Sequence, residues 1–199
     1  MPVRQREKIQ KMLRLRIVIY VSEYDIIVHE TEAGIYYRIK SKEKSVCPVC
    51  GGIELNIIGS RKRGAVDTEA KDICFLIRRL KCRGCSKIHH ELPDLLVPYK
   101  RHLSETIESV IDGETNGVPC EDSTIRRIHR WFNLVVAYIA GCLEAQLFLK
   151  GITGSVPGLS ALDRIKSIVG YEDSWLSRAV RIVVNTNNWI HTRSAFLSG

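Results

Sequence analysis

The chain has 199 residues, 45% of them hydrophobic and 26% charged, which are the proportions of a globular protein and exclude a wholly disordered one. That length accommodates one large domain or two small ones. The formal net charge of +8 and sequence pI of about 9.2 favour polyanionic partners, either nucleic acid or an anionic membrane surface.

The opening segment MPVRQREKIQKMLRLR is basic but lacks the apolar run and small-residue cleavage site of a secretory signal. The best candidate for a membrane span is residues 131–149. It carries Asn133, Glu144 and Gln146, each costly in lipid, so it reads as a buried helix. There are seven cysteines, and four fall in two CxxC pairs. In a chain with no export signal this pattern implies a metal site in a reduced cytoplasm, not disulfides. Cys74, Cys120 and Cys142 read as packing residues or free thiols.

In chain order, residues 1–46 form a β-rich segment: LRIVIYV, DIIVHE, an EAG turn and IYYRIK alternate β-branched and aromatic residues around a glycine. Residues 47–98 form a zinc ribbon. CPVCGG leads into IELNIIG, the basic stretch SRKRG follows as the hairpin tip, and ICFLIRRLKC returns to CRGC and a third strand, KIHHEL. Pro93 and Pro98 bracket the exit. Residues 99–150 then read as a helix-turn-helix-like region. Ser104 is the expected N-cap of a first helix over 103–112, and GETNGVP is a loop. Asp122 or Ser123 is the expected cap of a long helix running to about Lys150 and ended by Gly151 and Gly154. Residues 151–199 hold two further helices, near 160–169 and 174–185, and a tail. The first of these opens on Ser160 with Asp163 three places on, a capping-box-like start. The expected fold class is therefore α+β, a β-rich zinc ribbon followed by an all-helical region.

The two CxxC pairs carry the chemistry. A CxxC turn brings two thiolates to one point, and Cys47, Cys50, Cys82 and Cys85 together supply the four soft ligands of a closed tetrahedral zinc site. Gly51 and Gly84 lend the turns backbone freedom. A redox dithiol needs only one CxxC and a βαβ context that is missing here. His89 or His90 could replace a cysteine, but four cysteines suffice, and paired strand histidines are more often at the surface. One structural Zn²⁺ is the expected cofactor. With every coordination position filled by Cys, the metal has no open site for catalysis.

The charge is segregated. Residues 60–101 hold eleven Lys or Arg against five acids, residues 102–122 six acids and no Lys or Arg, and residues 123–199 return to net +5. Arg61, Lys62 and Arg63 are expected at the hairpin tip, with Arg78, Arg79, Lys81, Arg83 and Lys87 behind them. Such clusters bind phosphates by Coulomb attraction and counterion release. In the long helix, Ile125, Ile128, Phe132 and Val135 mark a core stripe. Arg126, Arg130 and Asn133, with Arg127 beside them, mark an outer face suited to the major groove. The acidic first helix should then face away from DNA. Trp131, Trp175 and Trp189 lie on helical patterns and belong to the core.

The pattern CPVCGG, RRLKCRGCSKIHHELPDLLVPYKRHLSETIESVI and EDSTIRRIHRWF resembles a family of small bacterial proteins in which a zinc ribbon precedes a helix-turn-helix. These are similar to the N-terminal DNA-binding part of insertion-sequence transposases, and the resemblance covers roughly residues 36 to 199. It implies zinc ligation by Cys47, Cys50, Cys82 and Cys85, and DNA contacts from Arg126, Arg127 and Arg130. It departs from the transposases in leaving no room for an RNase-H-like catalytic domain. Beyond residue 123 the acids are only Glu144, Asp163, Glu172 and Asp173. The expectation is a cytoplasmic, non-enzymatic binder of duplex DNA, a transposon-associated regulator or accessory factor. A transposase or other protein partner and a homodimer are permitted, and a membrane is not expected. The alternatives are a zinc-ribbon protein adaptor and an RNA-binding protein.

Overall fold

A computed structural model describes residues 17–32, 34–152 and 159–189. The basic opening segment, Gly154 and most of the C-terminal tail lie outside these residues. A six-stranded sheet is followed by four helices, so the chain is mixed α+β. The strands are β1 (Ile17–Val21), β2 (Tyr24–Thr31), β3 (Gly34–Ser41), β4 (Leu55–Val66), β5 (Asp72–Cys82) and β6 (Ile88–Pro93). The helices are α1 (Ser104–Asp112), α2 (Asp122–Leu149), α3 (Ala161–Val169) and α4 (Trp175–Asn185).

The strands of the N-terminal segment and those of the cysteine-bearing segment share one sheet, in the order β1-β6-β5-β3-β2 with β4 along the other side of β5. β1 runs parallel to β6, and β3 meets β5 in parallel through Tyr37 and Arg38. Alternate residues of each strand face opposite sides. Tyr20, Phe75, Ile77 and Leu92 point to the side that carries the helices and join one large core. From the helices that core takes Ile107 and Val110 of α1, Ile128, Trp131, Phe132, Val135 and Leu143 of α2, and Ile165, Trp175 and Val183. The other side holds a small cluster, Ile19, Val21 and Leu80, with Leu55 and Tyr24 against it.

Two expectations are corrected here. The SRKRG stretch is not a loop: Arg61, Lys62 and Arg63 lie in the middle of β4, opposite Ile77, Leu76 and Phe75. The turn falls instead at Asp67–Lys71, where the Asp67 side chain accepts from the Glu69 and Lys71 amides at 2.9 and 2.8 Å. Among the strands of the described residues β4 pairs with β5 alone, and charged side chains are at home on such an edge. The expected hydroxyl and carboxyl caps of α1 and α2 are also absent. The Ser104 hydroxyl donates to the Asp94 carbonyl at 2.8 Å, and α2 starts after Glu121 with no side-chain cap. Ser160 does cap α3, accepting from the Asp163 amide at 3.1 Å.

Two of the three acids of α1, Glu108 and Asp112, are spent inside the fold, while Glu105 is exposed. Glu108 accepts from the backbone amides of Ser174 and Leu176 at 2.6 and 2.8 Å, and so caps α4 from a neighbouring helix. Asp112 holds Lys166 of α3 at 2.6 Å and accepts from the Trp175 indole at 2.9 Å. α1 and α2 are joined by residues 113–121, longer than the three or four or so that join a standard helix-turn-helix.

Candidate metal centre

The two CxxC turns are local copies of each other. In the first, the Cys47 amide donates to the Gly52 carbonyl and the Gly51 amide donates to the Cys47 carbonyl, both at 2.9 Å. In the second, the Cys82 amide donates to the Lys87 carbonyl and the Ser86 amide to the Cys82 carbonyl, both at 3.0 Å. Each turn closes on a left-handed residue at the same place, Gly51 at φ 71° and Ser86 at φ 59°. Gly84, expected to supply that freedom, is not left-handed. The Arg83 amide ties the two turns together, donating to the Glu54 carbonyl at 2.9 Å.

The turns converge. The sulfurs of Cys47, Cys50, Cys82 and Cys85 all lie within 4.8 Å of one another, with Cys47–Cys85 and Cys50–Cys82 each at 3.6 Å. A tetrahedron with metal–sulfur bonds of about 2.3 Å has edges of about 3.8 Å, so the four sulfurs fit a single ion. None of the four is in a disulfide. Backbone donation, first from the Cys85 amide, pulls the Cys82 thiol down to about 7. Burial pushes the Cys47 thiol up to about 12. A bound cation reverses that burial penalty by favouring the thiolate. Gly52 sits against the cluster: a Cβ there would stand 3.3 Å from both the Cys50 and Cys82 sulfurs.

The surroundings of the site were not legible as such in the sequence. His89, expected at the surface, is fully buried, with Nε2 3.2 Å from the Cys47 sulfur. Burial lowers its pKa and so favours the neutral ring, and a thiolate formed on metal binding can only accept from it. With a metal on Cys47 the sulfur would be a thiolate, Nε2–H would donate to it, and His89 would orient that sulfur. Glu91, two residues along β6 on the same face, is also fully buried. It binds Arg78 through Nε at 2.5 Å and Nη2 at 2.8 Å, and accepts from Ser45 Oγ at 2.7 Å. The loop before Cys47 is thereby fastened to the sheet. The period-two spacing of His89 and Glu91 is the signal that could have paired them.

The basic residues fall into distinct settings. Arg78 is committed to Glu91. Lys62 lies 4.3 Å over the Tyr36 ring and donates to its hydroxyl at 2.9 Å. Arg63 is half-buried and donates to the Lys100 carbonyl. Lys81 and Arg83 are exposed, Arg83 with Glu54 3.8 Å away. Arg61 and Arg79 share the helix-bearing side of the sheet with His90. Arg126, Arg127 and Arg130 are exposed on the first turns of α2, and Arg127 donates to Thr124 Oγ1 at 2.7 Å. Lys100, unremarked in the sequence, lies 3.9 Å over the buried Trp131 ring. Burial, then the charge of Arg127, depress its pKa to about 7.

Residues 47–128 match the family model of a domain of unknown function, DUF6431. The match spans both cysteine pairs, β4 to β6, α1 and the first turns of α2. No curated protein and no solved structure matches the chain.

Proposed function

We propose that this chain is a zinc-stabilised DNA-binding protein, a transposon-associated regulator or accessory factor without a nuclease centre of its own. The observation that carries the reading is the concentration of positive charge around the start of α2. Arg126, Arg127 and Arg130 are exposed there, and among the described residues none has a carboxylate partner. The charge acts on its neighbours: after burial, Arg127 lowers the pKa of Lys100, and Arg101 and then Arg127 lower that of His102. Cations that destabilise one another are relieved by a polyanion, whose phosphates release counterions on binding. Glu108 and Asp112 of the preceding helix are turned onto α3 and α4, while Glu121 and Asp122 stay exposed at the start of α2 ahead of the arginines. Zinc in the four-cysteine cluster anchors one end of the sheet on which this surface is built.

Arg126 and Arg130 are one helical turn apart, as a groove-entering helix requires, and Asn133 follows on the same exposed side. The remaining basic residues, Arg61, Lys62, Arg63, Arg79, Lys81 and Arg83, would add backbone contacts, while Arg78 is held by Glu91. The test is binding of metal-loaded protein to random duplex fragments across a salt series, beside an Arg126→Ala/Arg130→Ala variant. Enrichment of a motif that the variant loses supports the reading. Absence of salt-sensitive binding to duplex DNA would overturn it, and preference for single-stranded RNA would redirect it.

A second reading, a protein adaptor, is favoured by one observation. The outer side of the later turns of α2 leaves Leu134, Phe148 and Leu149 58%, 70% and 75% exposed, and Ile152 beyond the helix 53%. Apolar side chains this exposed on one element suit a partner surface. By length and composition α2 would also span a membrane. Its opposite stripe, from Ile128 to Leu143, is buried against α1, α3 and α4.

A further inference from the structure

We propose that a notch at the β4 bulge is a phosphate-binding pocket formed by Arg61, Arg79, Ser60 and His90. The pocket has a volume of about 300 Å³ and opens to solvent, and these four are the residues that line it among those described. That volume holds a phosphoryl group with several waters, each about 30 Å³ in the liquid.

The notch follows from the strand register. Ile57 pairs with Leu80, but Gly59 pairs with Arg79, so Ile58 is the extra residue of a bulge. Gly59 has φ 132°, a backbone state that disfavours any side chain, and the space where its Cβ would stand is empty. Across three strands the row therefore reads Gly59, Arg79, His90, with no side chain on the β4 side of Arg79. Arg61, two residues beyond Gly59, projects from the same face and reaches diagonally toward Arg79.

Charge makes the notch a site rather than a gap. Among the described residues neither Arg61 nor Arg79 has a carboxylate partner, and no acid lines the pocket. The contrast with Arg78 is instructive, since that neighbour, on the other face, is satisfied by the buried Glu91. Two guanidinium side chains lining one notch repel each other, and an anion bound there relieves that repulsion. A phosphate matches the planar fork of Arg, and the His90 imidazole joins the two arginines, while Ser60, opposite Arg78 in the register, lines the notch without presenting its hydroxyl to it. The chemistry is shared by a nucleic-acid backbone phosphate and a free phosphoryl ligand, so the pocket stands whether or not α2 reads DNA.

The test uses the full metal-loaded chain titrated with inorganic phosphate, followed by NMR of the arginine Nε–H and histidine ring signals. Phosphate should perturb Arg61, Arg79 and His90 ahead of all other sites. Arg79→Gln should weaken it about tenfold or more, Arg79→Lys less, and Arg83→Gln not at all. A thermal melt of each variant checks that the fold survives. If a short duplex displaces phosphate from the pocket, the natural ligand is a nucleic-acid backbone. If the duplex binds elsewhere while phosphate stays, the pocket serves a free phosphoryl ligand. Both results uphold it. Equal binding of chloride, or indifference to Arg79→Gln in a folded variant, would overturn it.

Discussion

Lys100 should be half neutral at pH 7, and that state can be measured directly. The burial around Trp131 and the charge of Arg127 hold it near 7. Arg63 adds no relief, because it donates to the carbonyl of Lys100, and His102 two residues on is itself depressed. An ordinary lysine at about 10.4 is roughly 0.04% neutral at pH 7, so Lys100 should carry about a thousandfold more free amine. The assay is an NMR titration of ¹³C-methylated lysines, with competitive acylation at pH 7 as a second readout. Arg127→Gln should move the titration upward, though not to the ordinary value, because burial is the larger cause. A Lys100 signal that stays put until pH 9 would refute the reasoning. The sign for binding follows. If a phosphate requires the protonated amine, duplex affinity is full below pH 7 and falls about tenfold per unit above it, until the pKa in the complex is reached. Lys100→Arg should remove that slope.

Stripping the metal with a strong chelator, or replacing Cys85 with Ser, should unfasten the two turns and lower the melting temperature sharply. Structural zinc contributes about 10–16 kcal/mol in isolated zinc peptides. Metal content with a thiol count checks it, and an unchanged melt would show that the cluster is dispensable. Gly52→Ala should weaken metal affinity, since its methyl would press on two ligand sulfurs at 3.3 Å, while Gly64→Ala, in open strand, should not. Arg78→Ala and Arg79→Ala should differ in denaturant unfolding. The first leaves the fully buried Glu91 without its cation and costs about 3 kcal/mol, and the second is near neutral or stabilising. Equal effects would refute the division of the two arginines between the faces.

Local patterns carried much of the architecture. Alternation in LRIVIYV, DIIVHE and IYYRIK was enough for β1 to β3, and Ser160 with Asp163 was enough to start α3. The α2 stripe was read correctly at Ile128, Phe132 and Val135, which are buried, while Ile125 is half-buried at its margin. The three tryptophans expected in the core are there, at 4%, 1% and 4% exposure. Misreading SRKRG as a turn had a physical cause. Charge density marks loops only on average, and an edge strand with one solvated face tolerates the same residues.

By itself the sequence picked out the four cysteines that cluster, because each CxxC turn is a short-range device whose geometry depends on a few neighbouring dihedrals. It also determined the α+β class and the basic character of the surface. The tertiary structure alone decided how the charges are used. Whether an arginine is free or spent depends on which strand lies beside it, and strand pairing is a long-range choice. Thus Arg78 meets Glu91 and Arg79 meets an empty glycine notch, although the two are adjacent in the chain. In the same way His89 came to rest on Cys47, forty-two residues away, and Lys100 on the ring of Trp131. No local rule reaches that far, because such contacts form only when the sheet has closed and water has been driven from between its layers.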